Sequence, residues 1–173
     1  NVRQATDCLA RDEEYAGYRA VAELAQQGYR RLLLYWAPER LCAHYSCEER
    51  KRGAELAARE YGLDTMPLAH APEGSPVSLV QELLADRGGP LGVVAYGRMV
   101  ASGFVTAAVT TRGWRAGWEY GLATCDGAGP ILGGAVTLSG MDLSRYRFGQ
   151  VVGSMMLRRL RCDERHFLSR TIR

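Results

Sequence analysis

Glu49-Arg50-Lys51-Arg52-Gly53-Ala54-Glu55-Leu56-Ala57-Ala58-Arg59-Glu60-Tyr61-Gly62-Leu63 and, before it, Gly28-Tyr29-Arg30-Arg31-Leu32-Leu33-Leu34-Tyr35 decide the fold class. The first stretch reads as an amphipathic helix closed by Gly62, which takes the left-handed conformation at a helix end without a Cβ penalty. The second reads as a glycine stop, two basic residues and a strand. Its unbroken apolar run predicts a strand covered on both faces, as in a parallel sheet flanked by helices.

The same alternation continues outward in both directions. Tyr15, Tyr18, Val21, Ala22 and Ala25 recur at helical steps and predict a helix over 14–27, stopped by Gly28 and followed by a strand over 32–36. A polar loop over 37–47 leads to the helix, expected over 48–61, and then to an extended piece around 65–69. Ser75-Pro76 supplies an N-cap and a first-turn proline for a helix carrying Val77, Val80, Leu83 and Leu84. Gly88-Gly89-Pro90 breaks it before a buried strand, Leu91–Ala95. Met99, Val100, Phe104, Ala107 and Ala108 mark a helix ending before Gly113, and a strand over Tyr120–Thr124 follows. The Gly/Pro-rich segment 127–134 reads as a loop or crossover. A helix over Arg145–Arg161 places Phe148, Val151, Val152, Met155 and Met156 on one face, the methionines as packing residues. A last strand is expected over 166–172. Alternating strands and helices with short connections imply a parallel α/β sheet with helices on both faces.

With 173 residues, 47% of them hydrophobic, the chain is long enough to bury a core. No apolar run approaches the roughly 18 residues of a membrane span. Residues 1–7 carry neither the charged nor the apolar region of a secretory signal. A net charge of +3, from 22 basic and 19 acidic residues, is too mild to make a nucleic-acid surface by itself. Cys8, Cys42, Cys47, Cys125 and Cys162 are odd in number and scattered, which suggests reduced thiols in a cytoplasmic protein. Cys42, His44 and Cys47 lack the second ligand pair of a zinc site, so no metal is expected. Neither a G-x-S-x-G elbow, a phosphate-binding G-x-x-x-x-G-K-[ST] loop nor an H-E-x-x-H helix occurs, and His44, His70 and His166 are dispersed. The glycines at 127 and 129 are too few for a dinucleotide fingerprint. The expectation is a protein without catalysis or cofactor.

Several segments, in order, resemble the effector-binding domain of LacI/GalR-type transcription regulators. Asp12-Glu13-Glu14-Tyr15-Ala16-Gly17-Tyr18 is similar to that family's D-N-x-x-G-G-Y, with glutamate for asparagine. The run from Gly28 to Leu63 is similar to its "lGhrrIa" strand and "eR..Gf..Al.e.Gl" helix. Leu122-Ala123-Thr124-Cys125-Asp126 is similar to "vsvvgfD", Leu138-Ser139-Gly140-Met141 to "lTTv", and Gly149 to the glycine of the following helix. The resemblance implies a lobe of the periplasmic-binding-protein-like type I fold with part of a first lobe. Residues 1–173 would form the C-terminal part of the ligand-binding domain. About 12–117 and 141–173 would make the second lobe, with about 1–11 and 118–140 returning to the first, and the DNA-binding domain lies outside this chain. The implied function is effector sensing in a homodimeric regulator that meets operator DNA through that other domain. The implied effector is a small sugar, sugar phosphate or organic acid, with no membrane partner. The alternative is a periplasmic-type solute-binding protein for sugar transport. The cysteine usage and the regulator-like spacing favour the cytoplasmic regulator.

The resemblance also implies a site. The family's arginine at the position of Arg50 reaches into the effector cleft. The sharpest departure is Tyr96-Gly97-Arg98-Met99, where Gly97 and Arg98 stand for the Asn-Asp pair of N-D-x-M-A-x-G. A carboxylate accepts hydrogen bonds from hydroxyls, whereas a guanidinium only donates and prefers anions. Arg50 and Arg98, with Arg52 near, are therefore expected to hold a phosphate or carboxylate, aided by the helix N-terminus near Arg98. His44 and Ser46 lie on the loop before the arginine helix, either as effector contacts or as plain surface. Trp36 ends a buried strand at the edge where open α/β sheets place ligands, and either stacks on a ligand or closes the core. Asp126 is either a ligand contact or a structural hydrogen-bonding group.

Overall fold

From Glu13 onward the chain alternates helix and strand around one sheet. The computed structural model describes residues 8–85, 89–142, 144–161 and 171–172. Its contacts divide the chain into two units, residues 13–142 and residues 1–12 with 143–173. In chain order the elements are β1 (Cys8–Leu9), α1 (Glu13–Gln26), β2 (Arg31–Trp36), α2 (Tyr45–Glu60), β3 (Asp64–Thr65) and β4 (Ala69–His70). Then come α3 (Val77–Ala85), β5 (Leu91–Ala95), α4 (Arg98–Arg112), β6 (Tyr120–Thr124), β7 (Gly129–Ile131), β8 (Val136–Gly140), α5 (Arg145–Arg161) and β9 (Thr171–Ile172).

The larger unit holds a sheet in the order β3-β2-β5-β6-β8-β7, with β4 also on the outer edge of β2. Every pairing is parallel except β7 with β8. Leu33 sits beside Val93 and Val93 beside Leu122 in register, so successive side chains on each strand alternate between faces. Leu32, Leu34, Trp36, Val94, Ala123 and Cys125 pack under Ala16, Val21 and Leu24 of α1 and Ala54 and Ala57 of α2. Leu33, Tyr35, Val93 and Tyr120 face Val80 and Leu84 of α3 and Phe104 and Ala108 of α4. That two-sided covering is why β2 and β5 carry unbroken apolar runs.

The helices α1 and α2 touch backbone to backbone. A Cβ on Gly17 would lie 1.9 Å from the Arg50 carbonyl oxygen, and one on Gly53 would lie 1.8 Å from that of Glu14. Two glycines facing each other let the helices cross this closely, and the crossing brings Arg50 alongside the first turn of α1.

Several expectations shift. The helix expected over 48–61 starts at Tyr45, because the His44 ring acts as its N-cap and accepts the Ser46 amide. Tyr15, expected on the inner face of α1, is 51% exposed, and Ala16, Ala20 and Leu24 take that face. The segment 127–134 contains β7 and a tight turn, and forms an antiparallel hairpin with β8. Only Thr171–Ile172 of the strand expected over 166–172 lies within the described residues, paired in parallel with β1. β6 pairs along its length with β5, within the larger unit.

In the smaller unit no described residue of α5 is buried. Met155 and Met156, expected to pack, line an open groove of about 280 Å³ with Leu9, Val152, Arg159 and Leu160.

Candidate functional site

The carboxyl ends of β2, β5 and β6 lie side by side, and the N-termini of α1, α2 and α4 belong to the same end of the larger unit. This is the edge at which open α/β sheets place ligands. Trp36 ends β2. Tyr96 follows β5 and continues the pairing, its amide donating to the Tyr35 carbonyl at 2.9 Å. Asp126 stands two residues past β6, where its carbonyl accepts from the Thr124 hydroxyl at 2.8 Å.

Arg50, in the second turn of α2, joins these ends. Its Nε donates to Glu13 Oε2 at 2.7 Å, Nη1 to the Tyr96 carbonyl at 2.8 Å, and Nη2 reaches Asp126 Oδ2 at 2.9 Å. The guanidinium carbon lies 4.5 Å from the centre of the Tyr96 ring, a cation–π contact. Arg50 is 2% exposed, Glu13 is fully buried and Asp126 is 29% exposed. Burial by itself works against the charged guanidinium. The Glu13 hydrogen bond and the attraction of Asp126 and Glu13 outweigh it and hold Arg50 above the ordinary arginine value.

A second chain of contacts runs from Tyr96. Its hydroxyl meets Ser46 Oγ at 2.7 Å, and Ser46 Oγ meets His44 Nδ1 at 2.7 Å. Because His44 Nδ1 also accepts the Ser46 amide, it is the acceptor of the chain. Tyr96 therefore donates to Ser46, and Ser46 donates to His44. Burial raises the Tyr96 hydroxyl above its usual value, while the Ser46 hydrogen bond and the Arg50 charge pull the other way. Trp36 is buried, with Nε1 on the Cys47 carbonyl at 3.3 Å and its ring edge-on to Tyr96 at 5.7 Å. It closes the core beneath the site.

Asp126 has a second task. Its Oδ1 accepts from the Arg98 amide at the start of α4, at 3.4 Å, and a Cβ on Gly97 would lie 2.7 Å from that oxygen. Glycine at position 97 thus makes room for the carboxylate at the helix end. The Arg98 side chain leaves in another direction. It lies along Gly127, and its guanidinium donates to the Pro130 carbonyl.

Of the six residues singled out in the sequence, the structure joins Arg50, Asp126, Ser46, His44 and Trp36 into one contact network. Arg98 touches it only through its backbone. Sequence reasoning missed Glu13 and Tyr96 as members. Glu13 was visible only as a glutamate at a motif position where asparagine was expected, and Tyr96 contributes its carbonyl and ring face, which no motif records. Among the described residues no group of three or more His, Cys, Asp or Glu could hold a metal. Cys42 Sγ lies 3.8 Å from His70 Nδ1, but His70 Nδ1 also meets the Ala37 carbonyl at 2.8 Å.

No family sequence model and no curated protein matches the chain. Solved structures do. A LacI-family transcription regulator from Clostridium acetobutylicum superposes with a TM-score of 0.76 at 12% identity, over 99% of this chain and 64% of that one. A LacI-family regulator from Enterococcus faecium, solved with bound ribose, gives 0.72 at 18% identity, over 99% and 64%. A PurR-family regulator from Vibrio parahaemolyticus gives 0.70 at 18%, over 92% and 61%. This chain has the fold of LacI-family transcription regulators.

At these identities the likeness is one of fold, and the chain spans 57% to 64% of the length of such solved chains. The LacI-type architecture carries the periplasmic-binding-protein-like character read from the sequence: a mostly parallel sheet between helix layers, with the Arg50 network at its carboxyl edge. No helix among the described residues is long and apolar enough to cross a membrane.

Proposed function

We propose that this chain is the effector-sensing part of a dimeric LacI-type transcription regulator. It would bind a small sugar-like metabolite and transmit its presence to a DNA-binding domain outside this chain. The larger unit, 13–142, would be the second lobe of the sensor. Residues 1–12 and 143–173 would contribute to a first lobe completed by residues outside this chain. The observation that supports the reading best is the Arg50 network. A buried guanidinium draws α1, α2 and the ends of β5 and β6 together and leaves one carboxylate, Asp126, partly exposed. A group on Asp126 would be felt by Arg50 and by the N-terminus of α4 at once. Effector binding could therefore bias the pose of several elements, as a sensor requires. The solved relatives in fold are described as transcription regulators, and no observation favours a transport role.

The test is a thermal-shift screen of the full-length protein against neutral sugars, sugar phosphates and sugar acids, with Arg98→Asp and Asp126→Asn alongside. A ligand at a hundredfold excess over its dissociation constant adds about 2.7 kcal/mol. The expected result is a saturable stabiliser whose affinity falls at least about tenfold in Asp126→Asn, the loss of one good hydrogen bond to a charged group. A screen in which no class stabilises the protein overturns the reading.

A further inference from the structure

Beside the Arg50 network, one short loop brings two thiols together. Cys42 ends the 3-10 turn Glu39–Leu41, Cys47 lies in the first turn of α2, and the N-cap His44 stands between them. The two thiols are within hydrogen-bonding reach of each other. Cys42 Sγ also faces the Ala37 and Pro38 carbonyls, both at 3.7 Å, and Cys47 Sγ faces the Leu41 carbonyl at 3.7 Å. Cys42 is half-buried and Cys47 is buried, so of the two Cys42 is the one open to solvent. Cys47 is in turn within reach of the Tyr96 hydroxyl. His70 Nδ1 meets the Ala37 carbonyl at 2.8 Å, and a carbonyl only accepts, so that nitrogen carries a proton. This places a donor 3.8 Å from Cys42 Sγ, where negative charge develops when the thiol ionises.

We propose that Cys42 and Cys47 form a redox modification site, a dithiol that a small disulfide such as oxidised glutathione converts into an intramolecular disulfide. The Cys42 thiolate, its proton given to water, attacks one sulfur of the glutathione disulfide. The first glutathione leaves as a thiolate, takes up a proton, and a mixed disulfide remains on Cys42. Cys47 then loses its proton, attacks Cys42 Sγ and releases the second glutathione. Two protein thiols are oxidised and one disulfide is reduced to two thiols, with no further reactant. Burial, the neighbouring Cys47 thiol and the charges of Glu48 and Glu39 push the Cys42 thiol up to about 11. Attack is therefore slow at neutral pH, and the pair is not a rapid peroxide sensor. The same shift favours the product, because a dithiol whose thiolate is not stabilised holds its disulfide firmly. The loop that the bond closes contains His44 and Ser46, the residues that cap α2 and reach the Tyr96 hydroxyl. Oxidation also removes the Cys47 proton beside that hydroxyl. The redox state of the pair is thus felt at Tyr96, whose ring lies over Arg50. The inference does not depend on a ligand at Asp126.

The test equilibrates the folded full-length protein, without oxygen, in mixtures of reduced and oxidised glutathione, then quenches it with acid and blocks free thiols with N-ethylmaleimide. Trypsin cuts after Arg40 and Arg50, so peptide 41–50 carries both cysteines and no other. The expected result is a form of that peptide two hydrogens lighter, blind to maleimide, that grows as the mixture becomes oxidising and is reversed by dithiothreitol. Its rate of formation rises about tenfold per pH unit between pH 7 and 9, following the thiolate fraction of Cys42. In Cys47→Ser the reaction stops at a glutathione adduct on Cys42. In Cys42→Ser the buried Cys47 gives neither adduct nor disulfide. A wild-type peptide that takes two maleimides in every mixture overturns the proposal, as does a stable glutathione adduct on Cys42 that Cys47 fails to displace. A bridge from Cys42 to Cys8 or Cys162 in place of Cys47 overturns it equally. The wild-type measurement decides by itself if either serine variant fails to fold.

Discussion

At the scale of single residues, the larger unit contains buried polar groups of two kinds. Arg50 and Glu13 are buried as partners, and a charge taken out of water is tolerable only when such partners replace the water. Tyr35 and Tyr120 are the other kind. Their rings sandwich Phe104 edge-on, at 5.0 and 5.5 Å, but their hydroxyls are buried without a hydrogen-bond partner. An unpaired buried hydroxyl costs about 1–3 kcal/mol, so replacing it by hydrogen at constant shape is neutral or stabilising. Burial also raises both hydroxyls, Tyr35 to about 12 and Tyr120 further. Above the unfolded value near pH 10 the unfolded chain loses these protons while the folded one keeps them. The folded state then binds more protons, and stability falls as pH rises from about 10 toward 12. We expect Tyr120→Phe to match or exceed wild-type stability at pH 7 and to lose less of it between pH 9 and 11. Urea midpoints across that range check both halves of the statement, and a Phe variant clearly weaker at pH 7 would show that the hydroxyl has a partner.

At the scale of elements, the crossing of α1 and α2 is the joint on which the site depends. Gly17 and Gly53 face backbone carbonyls of the opposite helix at distances no Cβ can occupy. Overpacking a tight core costs about 1–3 kcal/mol, and here the obstruction is backbone that cannot rotate away. Gly17→Ala and Gly53→Ala are each expected to lose at least about 2 kcal/mol, seen as a lower urea midpoint with an unchanged slope. Because the crossing sets Arg50 against Glu13, either variant should also weaken any ligand that Asp126 holds.

The elements themselves were largely legible. Leu91–Ala95 and Tyr120–Thr124 match their apolar patterns, since periodicity reports which face of a segment is covered, and Arg145–Arg161 has the bounds its pattern predicts although no described residue of it is buried. The first turn of α2 was not legible, because its cap is an imidazole and not the usual Ser, Thr, Asp or Asn. The β7–β8 hairpin was hidden because Gly127, Gly129, Pro130, Gly133 and Gly134 read as breakers, and a strand held only by its pairing leaves no local signature. The site was half legible. Arg50 and Asp126 stand in recognisable motifs, but Glu13 lies 37 residues from Arg50 and the Tyr96 carbonyl 46, and single-sequence patterns do not carry contacts of that range.

At the scale of the whole molecule, all buried residues of the three apolar clusters lie between Ala16 and Leu138. The larger unit therefore contains its own complete sheet, both helix layers and the whole Arg50 network. The smaller unit is different in kind. Its helix α5 is 17 residues long, exposes Leu160 at 82%, and has no buried residue among those described. A helix of that length without tertiary burial is marginal in water, since propensity alone barely repays nucleation. Most of the cooperative stability must then reside in 13–142. A fragment of residues 13–142 is expected to unfold in one transition, with a urea midpoint close to that of the main transition of the full chain. The helical signal lost on truncation should approximate that of α5. A fragment that is unfolded or melts far earlier would mean that residues 1–12 and 143–173 hold the sheet together. The core would then not be the autonomous body its burial pattern describes.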